Sequence, residues 1–183
     1  MTQALQTAED VAREAGVAQP ECPTQATPGR EHGWLQKLVG EWEYEHEAVM
    51  GPGQPPMKGT GTESVRSLGG LWTLAEGRGE IPDCGTMTTM MTLGFDPDKG
   101  RFVGTFVASM MTFLWVYDGG LDGAERVLTL EVDGPSFEGQ GKLAKYKDVI
   151  EFKDDNYRLL TSHMPGPDGQ WTQFMKAEYR RVT

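Results

Sequence analysis

The chain has 183 residues, with 17 Lys and Arg against 27 Asp and Glu for a formal charge of -10, and it carries 24 glycines and 11 prolines. That length suits one domain with a terminal extension, whose core folds without disulfide or metal staples. The acidic balance excludes a phosphate-binding surface for nucleic acid and disfavours anionic membranes. No apolar run approaches the roughly 20 residues of a membrane-spanning helix.

The N-terminus, MTQALQTAEDVAREAG, places acidic residues where a signal peptide needs an apolar stretch, so the expected address is a bacterial-type cytoplasm. Its two cysteines, Cys22 and Cys84, lie in a tail and a turn without metal-ligand spacing and read as inert thiols. Residues 1–30 read as a flexible or weakly helical tail, with Leu5, Ala8, Val11, Ala12 and Ala15 at helical spacing ahead of a Pro/Gln/Thr stretch. The alternative is an arm that docks on a neighbouring subunit of a homo-oligomer. Residues 31–183 then form the folded domain.

Glu31 to Val39 puts Trp34, Leu35, Leu38 and Val39 on one helical face, and Gly40 is suited to end the helix. In the strand that follows, Trp42, Tyr44, His46 and Ala48 alternate with Glu41, Glu43, Glu45 and Glu47, so the aromatic face goes in and the carboxylates go out. The loop Gly51 to Pro56 breaks pairing. Further strands are predicted over Lys58–Leu68, Leu71–Glu80, Met87–Phe95, Arg101–Ser109, Met110–Tyr117, Val127–Val132, Lys145–Phe152, Tyr157–Met164 and Trp171–Arg181, separated by Gly, Pro, Asp and Asn turn signals. About ten antiparallel strands at meander spacing predict an all-β, up-and-down sheet closed into a single barrel, which also removes exposed edges.

A short helix running into Gly40-Glu41-Trp42 resembles the entrance of the calycin superfamily, which includes lipocalins and fatty-acid-binding proteins. The longer runs LVGEWEYE, KGTGTESVRSLGGLW, MTTMMTLGFDPDKGRFVGTFVASMM, FLWVYDGGLD and AKYKDVIEF resemble the bacterial domain-of-unknown-function family 1579, over residues 32–181. This resemblance implies a lipocalin-like barrel and no established activity. Fatty-acid-binding proteins hold a carboxylate with Arg-x-Tyr on the last strand; the matching region here reads Ala177-Glu178-Tyr179-Arg180, so a fatty-acid carrier is not implied. Nor is there room between the first two strands for their helical lid.

Inward residues of such a barrel either fill it or leave one cavity. The candidates are Trp42, Tyr44 and His46, then Met87, Met91, Leu93 and Phe95, then Phe102, Phe106 and Met110, with Gly104 and Ala108 among the last group making room. Methionine adapts its shape to apolar ligands. The expected function is binding of a small, mainly apolar molecule by Trp42, Tyr44, His46, Met91, Phe106 and Trp115; the face of Trp115 depends on whether the fifth and sixth strands are one bent strand. No cofactor is expected. The alternatives are an interaction or oligomerisation module with a filled barrel, a haem-binding barrel using His46 or His163, and an enzyme using Glu63, Arg66 or Asp148 at the barrel mouth.

Against catalysis, no Gly-x-Ser-x-Gly surrounds any serine, and Glu63, Arg66, Glu76, Arg78 and Asp148 read most simply as surface ion pairs. Three histidines at unrelated spacings do not suggest a zinc site. Asp96 to Gly100 lacks the ligand series of a calcium loop and reads as a tight turn.

Overall fold

The computed structural model describes residues 26–49, 51, 53–81, 85–136, 141–166 and 168–182. The predicted tail helix, both cysteines and parts of several predicted loops lie outside the described residues. Chain order is α1 (Arg30–Leu35), a single 3-10 turn (Gln36–Leu38), β1 (Gly40–Ala48), β2 (Met57–Leu68), β3 (Trp72–Ile81), β4 (Gly85–Asp96), β5 (Arg101–Ala108), β6 (Trp115–Leu121), β7 (Val127–Pro135), β8 (Leu143–Asp154), β9 (Tyr157–Pro165) and β10 (Trp171–Arg181). Each strand pairs antiparallel with its sequence neighbour, and β1 pairs with β10, so the sheet is a closed barrel.

The alternation in β1 sets the inside of the wall. Trp42, Tyr44 and Ala48 are buried and His46 is half-buried, while Glu41, Glu43, Glu45 and Glu47 face solvent. Pairing carries that parity around the barrel, because residues opposite each other share a face. Trp42 therefore aligns with Glu63, Tyr44 with Gly61 and Tyr179, and His46 with Gly59 and Ala177.

One end is plugged by α1. His32 Nδ1 accepts a hydrogen bond from the Gly29 amide at 2.9 Å and opens the helix. Trp34, Leu35 and Leu38 then pack beneath the barrel, with Trp34 edge-on to Phe102 and Phe152 at 5.9 and 5.5 Å between ring centroids. Its indole N–H donates to the Glu125 carbonyl at 2.9 Å, tying the plug to the β6–β7 turn. Gly40 does not cap the helix, since the 3-10 turn ends at Leu38 and Val39 is already extended; it opens β1 at φ 138°, a conformation that favours glycine.

Arg181 fastens the same end. Its Nη1 and Nη2 donate to the Val39 and Lys37 carbonyls at 2.6 and 2.8 Å, its Nε donates to Asp155 at 3.0 Å, and its guanidinium lies over Trp42 at 4.2 Å. Trp42 is fully buried, and its indole donates to the Leu38 carbonyl at 2.8 Å. The last strand, the helix and the first strand are thus joined around one tryptophan.

Three sequence expectations shift. The sixth strand begins at Trp115 and not at Met110, and continues through Leu121, because Asp118, Gly119, Gly120 and Leu121 pair with β7. Met110 accordingly sits in the β5–β6 connection, well exposed, and does not face the interior. Gly104 does not open a cavity either: the space a side chain would take there is occupied by Leu93 and the backbone of Thr92. The Asp96 turn matches expectation, with Asp96 Oδ1 accepting from the Asp98 and Lys99 amides at 3.0 and 3.2 Å.

Candidate functional site

Four inward glycines, Gly59 and Gly61 on β2 and Gly77 and Gly79 on β3, thin one side of the wall. Tyr44 lies across Gly61 and Gly79, and His46 lies across Gly59, where any Cβ would collide with the rings. The glycines thus lower two aromatic side chains against the wall instead of letting them stand into the middle. A cavity of about 180 Å³ remains inside the barrel, lined by Tyr44, His46, Glu63, Ala75, Gly77, Met87, Thr89, Met91, Phe106, Ile150, Arg158, Leu160, Met175, Ala177 and Tyr179. The larger hollows are more open to solvent, and one of about 1030 Å³ shares His46 and Met175 with this cavity before running out past Glu45, Lys58 and Lys176.

The cavity brings together four of the residues expected from the sequence, Tyr44, His46, Met91 and Phe106. The other two lie apart from it. Trp42 is in the closed end under Arg181, and Trp115 stacks edge-on with Phe113 and Tyr146 while covering Gly134.

A charged pair forms the polar edge of the cavity. Arg158 projects inward from β9 and its Nη2 donates to both oxygens of Glu63 on β2, at 3.0 and 2.8 Å. The strands are not neighbours, so this pair crosses the barrel interior. The guanidinium is held between the Tyr179 ring at 3.8 Å and the Trp42 ring at 4.7 Å. Both charges are nearly excluded from water, the Arg158 side chain being 3% and that of Glu63 11% exposed. The surface-pair reading of Glu63 is therefore corrected: it shares parity with Val65, and that parity is inward. Arg66, Glu76 and Arg78 do face solvent.

The ring hydroxyls nearby stay protonated. Burial, and then the negative charge of Glu63, raise both Tyr44 and Tyr179, the latter well above its ordinary value. Burial lowers His46, which keeps its imidazole neutral at pH 7. Among the described residues, no protein group hydrogen-bonds the Tyr44 or Tyr179 hydroxyl or the His46 ring.

A second polar cluster is built into the opposite wall. The Tyr117 hydroxyl donates to Asp148 Oδ2 and the Ser162 hydroxyl to Oδ1, both at 2.5 Å. Burial raises the Asp148 carboxyl above its ordinary range, against these hydrogen bonds and the nearby His163, which favour the ionised form. Asp148 is thus also inward, contrary to the surface-pair reading. It is not among the residues that line the cavity, and no hydrogen bond joins it to Glu63 or Arg158 among the described residues. Among the described residues, no group of three or more His, Cys, Asp or Glu is placed to hold a metal.

The sequence reading missed Arg158, Tyr179, Ile150, Leu160 and Met175. Arg158 had one signal: it shares parity with Leu160, Ser162 and Met164 on β9, a lone cation on an apolar face.

A closed ten-stranded antiparallel barrel plugged at one end by a short helix is a lipocalin-like fold. The family described as protein of unknown function DUF1579 matches residues 27–181, and the chain belongs to it. Among solved structures the chain is similar to Rv2717c from M. tuberculosis, at 13% identity and a TM-score of 0.60, covering 86% of this chain and 100% of that one. It is also similar to the S-type phycobiliprotein lyase CPES from Guillardia theta, at 11% identity and a TM-score of 0.54, covering 84% and 93%. At these identities the likeness is one of fold. Comparison with curated protein sequences returns no match. No described helix is long and apolar enough to cross a membrane.

Proposed function

We propose that the protein binds a small, mainly apolar molecule inside the barrel. The observation that carries this reading is the internal cavity of about 180 Å³, walled by Met87, Met91, Phe106, Ile150, Leu160 and Met175 and edged by the Arg158–Glu63 pair. Apolar cavities of roughly 150 Å³ accept a benzene-sized molecule, so this volume suits one ring. The three methionines adjust to ligand shape more readily than branched side chains do.

Native mass spectrometry of protein purified without added ligand, followed by solvent extraction, tests the proposal. A small organic adduct is expected on the wild type and lost in Ala177→Leu, which places a larger side chain at the cavity wall. Absence of any adduct, together with no thermal stabilisation by ring-sized organic probes, overturns it.

A further inference from the structure

Resting on that reading of the cavity, we infer that its ligand is an uncharged, ring-sized molecule carrying one hydrogen-bond acceptor, which is held by an unused N–H of Arg158. A guanidinium has five N–H donors in a planar fork. Here Nη2 alone serves Glu63, by donating to both carboxylate oxygens. Nε is buried and donates to nothing among the described residues, and Nη1 likewise has no protein acceptor among them.

A cation that is 97% buried and leaves part of its donor fork unused is costly, because each unmade hydrogen bond forfeits hydration without replacement. Stacking by Trp42 and Tyr179 holds the guanidinium plane and stops it from turning to find other acceptors. Arg158 lines the cavity beside Tyr44 and Tyr179, whose hydroxyls are also without protein partners among the described residues. Unused donors thus belong to three of the residues that line this space.

Charge selects among acceptors. Glu63 already neutralises Arg158, so an anionic ligand would lose its hydration and meet the Glu63 carboxylate without a net positive charge to offset it. A cation would meet the unused donors of Arg158. A carbonyl or similar neutral acceptor satisfies an unused N–H at little desolvation cost.

Calorimetric titration of the full chain with three probes tests this. Acetophenone carries the acceptor, α-methylstyrene replaces its C=O by C=CH2 at nearly constant shape, and benzoate carries a negative charge. We expect acetophenone to bind about tenfold or more tighter than α-methylstyrene, and benzoate to bind more weakly than acetophenone. In Glu63→Gln, which uncovers the positive charge, benzoate should gain on acetophenone. If that variant does not fold, the double variant Glu63→Leu/Arg158→Met decides, since it removes both charges together and should bind the two neutral probes equally. Equal affinity of the neutral probes for the wild type, a preference for benzoate, or a ketone preference that survives in the double variant would each overturn the inference and leave the cavity reading intact. Failure of all three probes to bind removes both.

Discussion

Arg158 on β9 and Glu63 on β2 meet across the barrel interior, 95 residues apart in sequence, with Nη2 at 2.8 and 3.0 Å from the two carboxylate oxygens. Removing one partner leaves a buried charge alone, whereas removing both leaves an apolar gap. Arg158→Met should therefore lower unfolding stability by about 3–5 kcal/mol, and Glu63→Leu/Arg158→Met should recover most of it. Urea denaturation of the two variants and of Glu63→Leu gives the coupling; equal instability of single and double variants would argue against the pair as described.

Two buried titratable groups act in opposite directions. The raised Asp148 carboxyl makes its contribution most favourable below the unfolded value near 3.8 and loses it as pH rises through the folded value. The lowered His46 contributes fully above its unfolded value near 6.5 and loses that as pH falls toward the folded value. Melting temperature should therefore respond differently to the two substitutions between about pH 4 and 6.5. Asp148→Asn should remove a loss of stability on raising pH, and His46→Gln a loss on lowering it. Unchanged pH profiles in both would contradict the burial of these side chains.

Tyr44 owes its position to Gly61 and Gly79. A methyl group at either position would collide with the Tyr44 ring, and at Gly61 also with the Arg78 carbonyl, 2.5 Å away. Gly61→Ala should destabilise the fold by about 1–3 kcal/mol through overpacking and push the ring into the cavity, weakening probe binding. A variant as stable and as competent as the wild type would mean that the wall relaxes freely there.

Leu35 is fully buried in the plug beneath the barrel. Leu35→Ala should cost about 2–5 kcal/mol in chemical denaturation, while leaving the cavity lining untouched. A loss below 1 kcal/mol, on the scale of an exposed site, would show that α1 packs only loosely.

Much of the barrel is legible in the sequence because period-two alternation and turn residues are local properties. The aromatic–glutamate alternation of β1 and the Asp96–Gly100 turn both follow from adjacent residues. Errors arose where local composition and pairing part company. Gly119 and Gly120 carry a turn signal but lie in the ladder, paired with Leu130 and Thr129; their β7 partners supply hydrogen bonds that no local rule anticipates. Gly104 suggested open space, which Leu93 from the adjacent strand fills.

By itself, the sequence determined that the chain forms a barrel of inward-facing aromatic and methionine side chains, and which face β1, β4 and β5 present to it, because strand parity needs only the order of neighbouring residues. Tertiary structure alone decided what those faces meet. Closing the sheet through β1 and β10 brings Arg158 over Tyr179 to Glu63, sets Tyr44 against glycines on two other strands, and leaves Trp42 in the sealed end. Those relations depend on the register and closure of the barrel, which arise from the simultaneous pairing of all its strands.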